Sequence, residues 1–170
     1  MHPQRNIIDA AQLIVEANTY EIPGGYYRPE ATVRVLTNPS SNEITGLCNK
    51  ADREGHGAGG GGVRWFIKDN DLHVWHHTET VHHDVHETMF GTTALQYHNM
   101  ETHGTEVDDN HKPIKGTQFA SGSFLRPIEG EPWHIGIRQK AAKDIIQNHP
   151  AFKHLLSHDG GKRKIERFDT

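Results

Sequence analysis

The chain has 170 residues, enough for one domain, and its 18 basic against 22 acidic side chains leave a net charge of -4, which gives no general attraction to nucleic acid or an anionic membrane. Its one cysteine, Cys48, excludes an internal disulfide, so nothing marks the chain as secreted. Only 34% of the residues are hydrophobic and 17 are glycine, a lean supply that suits a small core completed by neighbouring subunits.

The start, M-H-P-Q-R-N, has no apolar run behind a basic cluster, so no signal peptide is expected, and no apolar run is long enough to span a membrane. Residues 6–17 read as a helix, with Asn6 as N-cap and Ile7, Ala10, Ala11 and Ile14 at helical spacing. Pro23-Gly24-Gly25 makes a turn, and the alternating β-branched run 31–36 makes a strand. Asn38-Pro39-Ser40 reads as a cap opening a second helix to about residue 50. A glycine run over 55–62 follows; it matches neither phosphate-binding fingerprint and reads as a loop.

Residues 63–68 and 72–75 predict a hairpin, with Trp65 and Trp75 in the core. Thr78 or Thr80 then caps a helix to about Met89, with Val81, Val85 and Met89 as its apolar stripe. Residues 91–115 show little periodicity and predict an irregular segment that is either functional or ordered by a partner. Strands are expected within 116–125 and 132–137, and a helix over 139–156, broken near Pro150. The order predicts an α+β fold: a single small domain over 1–157, with short antiparallel strands flanked by helices, and a basic tail over 158–170.

The strongest chemical signal is histidine. Of fifteen in the chain, His73, His76, His77, His82, His83 and His86 crowd into one segment. Neutral imidazole is a metal ligand and a proton carrier near neutral pH. On a helix at about 100° per residue, Glu79, His82, His83 and His86 share one side, and His82 with His86 has the spacing that grips one metal from a single turn. These residues would form a transition-metal site, such as zinc, with His82 and His86 as ligands and Glu79, or else His103 or His111 from the following loop, as the third; otherwise they form an exposed polar face. His76 or His77 would then act as base in a small phosphodiesterase- or nuclease-like hydrolase. His76-x-Thr78 and His103-x-Thr105 also echo the paired motifs of two-histidine phosphoesterases, but lie too close in sequence for two lobes. Protonating about a third of the histidines near pH 6 would bring the net charge to zero, so solubility is expected to be poorest in mild acid.

Four pieces carry a resemblance: Val35-Leu36-Thr37-Asn38-Pro39, the strand V-R-W-F-I, the strand D-L-H-V-W, and His83-Asp84-Val85. Together, residues 33–86 resemble an α+β module of bacteriophage proteins. The resemblance implies a phage origin and carries no chemistry of its own. With the lean core, it leads to an expected non-enzymatic bacteriophage protein, a structural or accessory virion component. Such a component would contact other copies of itself or other virion proteins, in the virion or the host cytoplasm and not in a membrane. The metal-dependent hydrolase is the alternative.

Overall fold

The computed structural model describes residues 19–24, 29–40, 43, 63–125, 134–137 and 139–155. The helix expected over 6–17, the glycine run and the basic tail fall outside them. So does most of the helix expected from residue 38, although Ser40 and Glu43 exchange the two hydrogen bonds of a capping box (3.2 and 3.3 Å).

Six strands form one antiparallel sheet: β1 (Thr19–Pro23), β2 (Glu30–Thr37), β3 (Val63–Lys68), β4 (Asp71–His76), β5 (Phe119–Leu125) and β6 (His134–Ile137). Their spatial order is β1-β2-β4-β3-β5-β6, so the β3–β4 hairpin holds the centre. The hairpin turn is Asp69-Asn70, both at positive φ (54° and 66°), the two-residue geometry that matches the twist of the strands it joins. Being central, β3 and β4 are buried on both faces, which is why V-R-W-F-I-K and D-L-H-V-W-H carry so many large side chains.

Each face buries its own core. On one, Trp65, Leu72, Val74, Phe124 and Ile135 pack against α3 (Lys140–Asn148), through Ala142 and Ile146, and against the short helix Phe152–Leu155. On the other, Val33, Phe66, Trp75 and Phe119 pack against α1 (His82–Phe90), through Val85, and α2 (Ala94–His103), through Tyr97 and Met100. The result is a small α+β domain with helices on both sides of one sheet, as the element order predicts.

Two differences from the sequence reading have physical causes. Residues 91–115 are not irregular throughout. Thr93 and Gln96 form a capping box that starts α2 (2.8 and 3.1 Å), and Gly104 ends it at a φ of 71°. The remainder makes contacts within the chain: Val107 bridges Pro113, and the Gln96 side chain donates to the Asp108 carbonyl (3.3 Å). Strand β1 was also not foreseen; Pro23 can end it because β1 is an outer strand of the described sheet.

Gly122 shows how closely β5 and β6 approach. A Cβ there would lie 1.8 Å from the Gly136 carbonyl oxygen and 2.9 Å from the Trp65 ring. The oxygen belongs to backbone, so β6 would have to move. Gly122→Ala should cost about 3 kcal/mol or more, the upper end for overpacking. An unchanged urea midpoint in that variant would contradict the packing described.

Candidate functional site

The histidine segment is divided among several tasks. His73 stands on β4 opposite Phe66, and the two rings stack at 4.6 Å. The histidine is 3% exposed, and burial lowers its pKa from 6.5 to about 4, with the Asp71 backbone partly opposing the shift. His86 is 1% exposed, surrounded by Phe66, Phe90, Tyr97 and Phe119 at 4.7–5.8 Å, and burial takes its pKa down to about 3. Its Nδ1 shares a hydrogen bond with the Thr92 hydroxyl (2.6 Å). Both rings are therefore neutral at pH 7, and both pKa values are far below those suited to a general base at that pH.

The buried side of α1 explains this. Val85 and His86 are fully buried, His82 and Met89 are half-buried, and Val81 is exposed. The core-facing stripe is thus His82-Val85-His86-Met89, at i, i+3, i+4 and i+7. The sequence reading followed Val81, Val85 and Met89 and assigned the histidines to a polar face; two of them instead take core-facing positions.

The three expected metal ligands do not converge. Glu79 precedes α1, and its Oε2 accepts from the Thr32 amide (3.1 Å), fastening the turn to β2. His82 Nε2 lies 3.0 Å from the Gly122 carbonyl, which can only accept, so this nitrogen carries the proton. His86 is committed to Thr92 and its aromatic shell. Among the described residues, no three His, Cys, Asp or Glu side chains form a metal-holding group. The His76 and His77 rings lie 4.7 Å apart, tilted at 48°, and His76 Nδ1 lies 2.5 Å from the Thr78 hydroxyl in a local turn. They sit at the end of β4 away from His73.

That other end carries a cleft of about 220 Å³. Val35 and His73, paired across β2 and β4, line its base, while Tyr20 of β1 and Met89 and Phe90 of α1 form its apolar walls. Tyr20 is 50% exposed and Phe90 43%. The polar rim comes from the hairpin: Lys68, Asp69 and Asp71.

The Lys68 ammonium is paired with Glu106 and Asp69 and lies 4.9 Å from the Phe90 ring centroid. Burial pushes the Glu106 carboxyl up, whereas hydrogen bonding to Glu106, together with Lys68, pulls the Asp69 carboxyl down. Glu106 comes from the segment after α2, where its amide is held by the Thr117 hydroxyl (2.9 Å). The sequence reading missed Tyr20, Lys68, Asp69, Phe90 and Glu106. Only the period-2 alternation of β3 hints that Lys68 faces the same side as Phe66; the cleft itself is tertiary.

No family model matches the chain, and no curated protein or solved structure matches it.

Proposed function

We propose that this chain is a non-enzymatic protein-contact module, a structural or accessory component of a bacteriophage particle that binds other copies of itself or other virion proteins. One observation carries the reading: two large aromatic side chains, Tyr20 and Phe90, stand exposed on the two walls of an open cleft at an outer strand. Exposed aromatics around a cleft are the usual anchors of protein recognition. The phage assignment rests on the resemblance, whose pieces fall on the end of β2, on β3, on β4 and on α1, the elements that frame the cleft. Among the described residues no helix is long and apolar enough to cross a membrane.

The test is a benzophenone photo-crosslinker placed at position 90 or 20 in the cells that naturally make the chain, with exposed Lys112 as control position. A discrete adduct with a second copy or a particle protein is expected from positions 90 and 20 and not from 112. No protein adduct from either position would contradict the reading.

A further inference from the structure

We propose that the cleft beside Tyr20 receives an arginine side chain of the partner protein. The inference rests on the protein-contact reading and names what is contacted. Size comes first. At about 220 Å³ the cleft falls below the roughly 300–1,000 Å³ of sites that enclose drug-sized molecules, and so suits one side chain.

Charge selects a cation. The Asp71 carboxylate stands at the rim with no ion-pair partner among the described residues. The cationic group at the rim, Lys68, is already paired with Glu106 and Asp69. Helix α1 also ends at the cleft with no basic residue in its last turn, so its carbonyl end adds partial negative charge.

Shape and hydrogen bonding select arginine over lysine. Phe90 is already contacted by Lys68, His73 and His86, whereas Tyr20 makes no ring contact among the described residues and offers a free face. A guanidinium is planar, stacks on such a face and presents several donors at once; an ammonium is a compact point charge. At the base, His73 is buried and neutral at pH 7. A neutral ring there does not repel a cation.

The experiment titrates the full chain with a blocked Gly-Arg-Gly peptide and follows backbone and aromatic NMR signals. The expected result is saturable binding, millimolar for one isolated side chain, mapped to Tyr20, Asp71, His73 and Phe90. The citrulline peptide, neutral and nearly the same shape, should not bind, and the lysine peptide should bind several-fold more weakly. Asp71→Asn should weaken arginine binding roughly tenfold, and Tyr20→Ser by a few-fold. The citrulline comparison needs no variant, so it holds even if a substitution disturbs the fold. Equal binding of citrulline, shifts mapping elsewhere, or no saturation would overturn the inference. A protein adduct at position 90 without arginine binding would overturn this inference alone and leave the contact reading in place. Arginine binding at the cleft without any adduct would support the specificity argued here and count against that reading.

Discussion

Between pH 6.5 and 4 the protein should lose stability at about 2.7 kcal/mol per pH unit, the slope for two protons taken up on unfolding. His73 and His86 supply it. Their folded pKa values are about 4 and about 3, against 6.5 for the free side chain. A depressed histidine pKa means the unfolded chain binds the proton first. The stability is therefore fully present above pH 6.5 and is lost as pH falls toward the folded values. His149, also lowered by burial, acts in the same direction, while Glu106, raised by burial, partly offsets the loss in its own range. A domain stable by only about 5–15 kcal/mol should then unfold in moderate acid. Urea midpoints at pH 7, 6 and 5 measure this, and His86→Leu, which keeps the bulk and removes the proton site, should remove about half the slope. A midpoint independent of pH would show that the two rings are not buried as described. The same burial changes the solubility expected from composition. These histidines stay uncharged at pH 6, so the point of zero charge moves to lower pH.

Phe66→Ala should cost about 3–5 kcal/mol, the range for a fully buried phenylalanine. The ring is the hub of its face, lying 4.6 Å from His73, 5.2 Å from His86, 5.6 Å from Phe119 and 5.7 Å from Trp75. Removing it leaves a cavity under both histidines, which the small helical layer above can close only in part. The loss should also appear in the titration: water entering beside the two imidazoles should raise their pKa values toward 6.5 and flatten the acid dependence. A Trp65→Ala variant opens the opposite face and should cost a similar amount without moving either histidine, since Trp65 packs on Phe124 and Phe152 instead. A loss below about 1 kcal/mol for Phe66→Ala would contradict the role given to that ring.

The regular elements were legible where one rule decided them. The strands over 63–68 and 72–75 follow from dense β-branched and aromatic residues, and β3 and β4 run to within a residue of those limits. The break at Pro150 follows from its missing amide: α3 ends at Asn148 and a short helix resumes at Phe152. What escaped was decided by tertiary packing. Helix α2 has almost no apolar periodicity, because only Gln96, Tyr97 and Met100 need burial; its legible signal was the Thr93-Gln96 capping box. Strand β1 is an outer strand with one buried side chain, Ile22, and so carries little pattern. The burial of His73 and His86 was not legible because composition treats histidine as polar, whereas in a dry aromatic shell a neutral imidazole packs like a ring. His86→Ala is therefore expected to cost stability through lost packing, whether or not a metal is supplied. The cleft was not legible at all: its lining comes from β1, β2, the β3–β4 hairpin and the end of α1, which only the tertiary fold brings together.

His73 and His86 pack in the core as neutral rings. Nitrogen NMR of histidine-labelled protein tests this most directly. The His73 and His86 rings should stay neutral, each in one tautomer, from pH 7 down to about 5, and should not respond to an equivalent of zinc. Titration of either ring near pH 6.5, or a shared zinc-induced shift of His82 and His86, would contradict it.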